Sequence, residues 1–499
     1  MDDFISILLA LGRCFFVAKK FPPRVLVVKP GMPDGRRVSA PEIARRRRSG
    51  SKRGTKLLCY NQLFTPTQHR FKPIMQREKC VLRKCVLIIC AAVAALLLAS
   101  CGSSSSSSSS STPPVSGIKK RVLLTNSLVN PSTTAGLTIV DAKKDTLARS
   151  VSSAEFGKIL TASGTTVLLN VASNQISIFK NSTEQITSSP TLITQAFDIA
   201  LSTDGLTTYA AVRDSGRVEV IGTASGNIVS NITVPSVTRL FEGPQQHTLL
   251  AFADDPQNLV GTTNGVSNAN SFFVINPSNN TVAAVPLPAG SQPYSAVFDP
   301  SDANDTTAFI LNCGTACGGS APPSVVRVNF SNLATPVSST PIPVSAATVG
   351  LLNGSSLFVA GTPAGSAQGT LQVIDTNALT AGAPIAITNG LHTLMTMTSN
   401  NRLYIGASNC TIDTATNNQV AGCLTIFNTS TQAVTVPLES SLRQNFNVTG
   451  MQPISGRNII YVCQGGELDF FDITLDAVSP SVTQQDVIGN AFGVVQIDP

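Results

Sequence analysis

A unit of four short β-prone runs recurs along residues 119–499, and it constrains the fold more than any other feature of the chain. In its clearest copy, Ala196-Phe-Asp-Ile-Ala-Leu-Ser-Thr-Asp-Gly205 forms a first strand and a turn. Thr207-Thr-Tyr-Ala-Ala-Val212 forms an apolar second strand, Arg217–Gly222 a third and the more polar Asn227–Val234 a fourth. The same order restarts near Lys158, Arg239, Ser295, Thr348, Thr393 and Thr449, at intervals of 40 to 56 residues. β-Branched residues fill the runs, turn residues separate them, and no apolar period of 3.6 is sustained. Four strands at that spacing predict one blade of a β-propeller, a unit that buries its faces only against its neighbours.

The two ends of this region complement each other. It opens with what reads as a second strand, Arg121-Val-Leu-Leu-Thr125, and a third, Leu137-Thr-Ile-Val-Asp141. The missing first strand is found at the extreme C-terminus, Phe492-Gly-Val-Val-Gln-Ile-Asp498. Pairing the last strand with the first segment closes the ring and removes an open sheet edge. Counting innermost strands then gives an all-β propeller of eight four-stranded blades.

Three local motifs carry a resemblance. They are the "SxDG" turn Ser202-Thr203-Asp204-Gly205, the run Thr208-Tyr209-Ala210-Ala211 and the "VIDT" strand Val373-Ile374-Asp375-Thr376. Together they resemble the YVTN-type propellers and the related lactonase-family propellers, over most of residues 119–499. The Tyr-Val-Thr-Asn tetrapeptide itself is absent. The resemblance implies the propeller fold, with seven blades as the family's usual number against the eight counted here. It also implies hydrolysis of a small sugar lactone in the central funnel as one activity such a body can carry. The family's catalytic residues find no matching positions in these blades.

Ahead of this body the sequence reads as an address. Leu98-Ala99-Ser100-Cys101 resembles the lipobox of bacterial lipoproteins, whose cysteine is lipidated and becomes the first mature residue. Residues 75–100 have the parts of a secretory signal: Arg77, Lys79, Arg83 and Lys84, then the thirteen apolar residues Val86–Leu98, then small residues before the cut. Thirteen are too few to span a bilayer, which takes about 20. Residues 1–74 form a basic extension, and Met75 is the expected true start. A basic arm for nucleic acid or for a nuclear address is the rival reading of that extension and conflicts with the signal behind it. Residues 1–100 hold 20 Lys and Arg against five Asp and Glu, a balance of +15, whereas residues 101–499 hold 15 against 23, a balance of −8. The basic character therefore belongs to the part ahead of the body, and nucleic acid is not expected as a partner. Residues 101–118, with serines from Ser103 to Ser111 and then Thr112-Pro113-Pro114, form a tether that cannot bury a core. By resemblance to lipoproteins, Gly102 after the cysteine goes with outer-membrane sorting.

An exported body permits disulfides. Cys410 and Cys423 flank the connection between the second strand Arg402–Ser408 and the third strand Leu424–Phe427, where a hairpin brings them within bridging distance. Cys313-Gly-Thr-Ala-Cys317 occupies the equivalent connection of another blade and is expected to close a small loop. Cys463, at the end of an apolar strand, reads as an inert buried thiol.

Residues able to carry chemistry are few. Aligning the blades puts Lys158, Asp198 and Arg239 at one position of three successive innermost strands, with Ser295, Thr348, Thr393 and Thr449 in the next four. Glu242 follows three residues after Arg239. Such a group of charges near a central channel either grips an anionic or polyhydroxy ligand or satisfies buried charge as an ion network. His392 precedes an innermost strand, while His247 falls in a turn. The acidic run Asp299 to Asp305 lacks the Gly and distal Glu of a calcium loop and reads as a turn. No metal site and no cofactor are expected. With no Trp and five Tyr, an aromatic carbohydrate platform is not expected either. The function expected from these features is an exported, lipid-anchored binding or scaffold module at the cell envelope, with a protein or polymer ligand at its surface. The alternative is a lactonase-like hydrolase using Asp198, Arg239, Glu242 and His392.

Overall fold

Short runs of Val, Ile, Leu and Phe separated by Asx and Gly turns pair with their chain neighbours as antiparallel meanders, the shorter turns leaving a strand little else within reach. The structure, a computed structural model of the chain, describes residues 115–127, 136–253, 270–410, 423–437, 447–487 and 489–498. Cys101, the basic extension, the signal segment and the tether up to residue 114 lie outside the described residues.

Eight four-stranded sheets form, three of them with the outermost strand split in two. Strands are lettered A to D from the innermost outward and blades numbered along the body. The A strands of blades 1 to 8 are Asn490–Gln496, Phe156–Ala162, Asp198–Leu201, Val237–Glu242, Pro293–Phe298, Val349–Asn353, Leu391–Met397 and Val448–Pro453. Each A strand touches the A strand of the next blade, and the series returns on itself. The body is an eight-bladed β-propeller, so the count of eight holds. Blade 1 closes it as expected: the C-terminal Asn490–Gln496 pairs antiparallel with Arg121–Ser127, with Leu123 opposite Val495 and a bulge after Thr125. Among the described residues, every strand of the ring falls between Arg121 and Gln496, so its closure needs nothing ahead of residue 115.

The core is not central but distributed over the eight junctions between blades. Each of eight apolar clusters joins one blade to the next. In blade 4, Leu249 and Ala251 face blade 3, whereas Leu250 and Phe252 face blade 5. Side chains alternate across a strand, so a blade packed on both faces needs apolar residues at both phases. This is why the B strands read as unbroken apolar runs. The D strands lie at the rim and alternate instead, as in Thr146–Ser152, whose alternate residues are exposed.

The turn motifs have local physical causes. In the "SxDG" turn, the Asp204 carboxylate accepts hydrogen bonds from Ser202 Oγ (2.5 Å) and the Leu206 amide (2.8 Å). Gly205 sits at φ +72°, and a Cβ there would lie 2.6 Å from the Ala162 carbonyl oxygen. Six of the eight third strands end in Asp or Asn, and that side chain caps the C–D turn: the Asp141, Asn276, Asn329, Asp375, Asn428 and Asp472 carbonyl or carboxylate oxygens each accept the amide two residues on.

Three C–D turns hold an acid at their left-handed position, Asp145, Glu184 and Asp476. Each meets an arginine of the preceding blade: Arg457 (Nη2 to Asp145 Oδ2, 2.8 Å), Arg121 (3.0 Å) and Arg402 (2.8 Å). The latches fall on three successive junctions, 8/1, 1/2 and 7/8, around the blade built from both ends of the body. Arg121 also makes a two-pronged pair with Asp498 at 2.7 Å on each prong, binding the two ends of the body together.

Candidate functional site

The A strand of a blade is a sheet edge, and its outward backbone groups face the channel without a ladder partner. The aligned polar residues answer that need. Asp198 Oδ2 accepts the Leu240 amide of blade 4 at 2.9 Å, and Lys158 Nζ of blade 2 donates to Asp198 Oδ1 at 2.6 Å. Arg239 donates to the Tyr294 carbonyl of blade 5 at 2.8 Å, with its guanidinium 3.3 Å from the Tyr294 ring centroid. Thr348 Oγ1 donates to the His392 carbonyl at 2.8 Å and Thr449 Oγ1 to the Ala491 carbonyl at 3.1 Å. At blade 1 the equivalent residue is Gly493, and Thr125 of the B strand reaches across it to the Gly157 carbonyl at 2.9 Å. The belt thus stitches six of the eight junctions, each side chain bonding the next blade.

The expected grouping is therefore split. Lys158 and Asp198 are brought together. Arg239 turns away from them toward blade 5. Glu242 lies three residues further along an extended strand, about 10 Å from Arg239, at the end that enters the A–B turn. Both Glu242 carboxylate oxygens are buried with no hydrogen-bond partner. Burial, and then the negative charges of Asp204 and Asp305, push its pKa up to about 8. His392 is fully buried in the wall between blades 6 and 7, not at the opening of the channel. Its ring Cε1 lies against the site where a Gly369 side chain would begin, and neither ring nitrogen makes a hydrogen bond of ordinary geometry. Burial lowers its pKa to about 4. His247 is exposed. The acidic run is the A–B loop of blade 5, and the Asp305 carboxylate accepts the amides of Gln245 and His247 at 2.9 and 3.0 Å. Among the described residues no three His, Cys, Asp or Glu side chains are grouped to hold a metal. No helix among them is long and apolar enough to cross a membrane.

The two faces of the ring differ. A–B and C–D turns emerge on one face, B–C and D–A connections on the other. The A–B turns are short, from two residues (163–164) to eight (299–306), whereas the B–C connections reach eleven in blade 5, fifteen in blade 7 and seventeen in blade 4. Both disulfides are present, Cys313–Cys317 and Cys410–Cys423, each with Cα atoms 5.6 Å apart, and both lie in B–C connections. Each leans on the D–A segment that leads into its own A strand: Cys313 Sγ on the Gln292 carbonyl at 3.4 Å, Cys410 against Gly390. Cys463 is a buried free thiol, as expected. On the same face, Phe197 (44 % exposed), Leu391 (41 %) and Phe492 (36 %) stand at or near the starts of A strands. The Arg213 guanidinium lies 4.0 Å from the Phe197 ring centroid. Sequence reasoning passed over Arg213 and these three apolar residues. Their signal was an apolar residue at the mouth end of an A strand, indistinguishable in one dimension from core.

No protein-family profile and no curated protein matches the chain. Among solved structures it is similar to the dihydro-haem d1 dehydrogenase NirN in complex with DHE, at 10 % identity over 77 % of each chain and a TM-score of 0.55. It is also similar to the computationally designed Ika8 protein (12 %, 69 % of this chain and 93 % of that one, 0.47). A third likeness is to the Cps50 (Swd1) β-propeller domain of Myceliophteria thermophila (11 %, 58 % and 87 %, 0.41). At 10 % identity the likeness to NirN is one of fold.

Proposed function

We propose that the chain is an exported, lipid-anchored propeller that serves as a binding or scaffold module at the cell envelope, presenting its B–C face. The observation that carries this reading is the division of labour just described. Lys158, Asp198, Arg239, Thr348 and Thr449 along the A strands are engaged in joining blades, while exposed Phe197, Leu391 and Phe492, the Arg213 guanidinium and the disulfide-closed connections lie on one face. Aromatic and arginine side chains on a rigid frame are the residue types that anchor protein interfaces. Two disulfides in one body support an oxidising compartment, and with it the export address ending at Cys101. The lactonase-like alternative has less to stand on, since Asp198 and Arg239 are tied to neighbouring backbone and His392 is enclosed.

Three experiments test the reading. Intact mass of the full chain extracted from bacterial membranes, with and without globomycin, supports the anchor if a species begins at acylated Cys101. A species retaining residues 75–100 overturns it. A photo-crosslinking residue at positions 197 and 391 should trap the same envelope component, and one at the outer-rim position 434 should not. Lactone turnover that Asp198→Asn abolishes while the fold survives would favour the hydrolase.

A further inference from the structure

All six lysines of residues 101–499 lie between Lys119 and Lys180, and the 319 residues that follow contain none. Five of the six share one place. Lys119 and Lys120 precede the B strand of blade 1, Lys143 and Lys144 form its C–D turn, and Lys180 ends the C strand of blade 2. The sixth, Lys158, is the A-strand residue bonded to Asp198. The fold gathers the five on the A–B face: the Ala142 amide donates to the Lys120 carbonyl at 2.9 Å, joining the first two pairs. Ser116 then fastens to Glu184, in the turn that follows Lys180, through its amide (2.7 Å) and hydroxyl (2.5 Å).

The acids of the same region are buried or paired, Asp141 with Lys144 at 3.7 Å and Asp498 with Arg121 at 2.7 Å. Asp141, Asp145 and Glu184 are 9 %, 5 % and 0 % exposed, and Arg457, Arg121 and Arg149 hold the latter two. Lys119, Lys143, Lys144 and Lys180 are exposed. Here the surface is positive, although residues 101–499 as a whole carry −8. Beside Lys144 and Arg149 opens a groove of about 540 Å³, lined also by Asp141, Val115, Ser116 and Ile118. Val115 is the residue at which the 101–114 segment joins the body.

We propose that this lysine cluster is a seat for an anionic lipid surface. For a chain joined to a membrane at residue 101, fourteen residues of coil place residue 115 at an r.m.s. distance of about 20 Å from it, so the lysines nearest that junction are the part of the body held closest to the headgroups. Basic side chains add to membrane attachment when they come within a Debye length of an anionic leaflet. Together with one lipidated residue they make the second signal of a stable attachment. Seated this way, the ring turns its A–B face to the membrane and its B–C face outward. The inference deepens the anchoring reading, yet its chemistry is independent of acylation.

The test uses residues 102–499, unlipidated, since the ring closes without earlier residues. Flotation is measured with vesicles of phosphatidylcholine carrying about one-third phosphatidylglycerol, and with phosphatidylcholine alone. The anionic vesicles should be bound at least about tenfold more tightly, with the preference vanishing at about 0.5 M salt. Lys119→Gln, Lys143→Gln, Lys144→Gln and Lys180→Gln combined should weaken that binding about tenfold or more with an unchanged melt. Arg327→Gln, on blade 5, should leave it intact. Equal binding to both vesicles, an equal loss in Arg327→Gln, or binding to soluble heparin without vesicle binding would each overturn the proposal. A mass lacking the acyl group alongside intact vesicle binding would remove the anchor and leave the seat standing.

Discussion

Replacing Glu242 by glutamine should stabilise the protein at alkaline pH and leave it unchanged in acid. The Glu242 carboxyl is wedged between the Ser202–Gly205 turn of blade 3 and the Asp305 loop of blade 5, with both oxygens buried and unpartnered. A carboxylate placed so loses its hydration and gains two negative neighbours. The folded-state pKa of about 8 stands above the ordinary 4.5, so the folded state holds this proton more tightly than the unfolded chain does. Its contribution is complete below pH 4.5, declines by about 1.4 kcal/mol per pH unit as pH rises, and is gone above pH 8. The whole span is about 5 kcal/mol at most, and about 2 kcal/mol once residual solvent screening is allowed for. Glutamine keeps the shape without the titration. Guanidinium unfolding of wild type and Glu242→Gln at about pH 4.5 and pH 8.5 reads the effect directly. The curves should nearly coincide in acid and separate by about 2–5 kcal/mol in base, the variant being the more stable. A separation that does not change with pH, or a variant weaker at pH 8.5, would refute the reasoning.

Three further outcomes follow from the same physics. His392 titrates the other way: its folded pKa of about 4 lies below 6.5, so stability is full above pH 6.5 and falls by about 3 kcal/mol as pH drops through 4, and His392→Leu should flatten that acid limb in denaturation curves. Arg121→Ala removes the pair to Asp498 and one of two arginines on the fully buried Glu184, which should cost about 2–3 kcal/mol and speed amide exchange in Asn490–Gln496 more than in other A strands. Gly205→Ala should cost about 3 kcal/mol, because its Cβ meets the Ala162 carbonyl, whereas Gly354→Ala, also left-handed at φ +59° but with open space around it, should cost about 1 kcal/mol in the same melts.

Much of this architecture was legible because its causes are local. An Asp or Asn at the end of a third strand bonds an amide two residues away, and the Ser202–Gly205 turn closes on its own side chains. Those bonds recur at the blade period and can be read in one dimension. The ring's closure was legible too, because a missing first strand at one end and a spare strand at the other have a single economical solution. The hairpin geometry around Cys410 and Cys423 likewise followed from strand spacing.

The candidate site was less legible. Alignment found the belt positions but could not tell a ligand grip from a stitch, since that depends on which backbone group the neighbouring blade presents. Asp198 meets the Leu240 amide across a junction between different sheets. Thr125 takes the belt role at blade 1 only because Gly493 leaves the space, and these two residues are separated by 368 positions. The sequence by itself determined the strands, the turns, the blade period and the residue types at each level of the ring. Only the tertiary structure decided that Arg457 latches Asp145, that Glu242 is left buried without a partner, that His392 is enclosed in a wall, and that five lysines from three separate segments form one surface. Each of these rests on contacts between distant parts of the chain, and their strength depends on burial, a property that exists only once neighbouring blades have closed over the site.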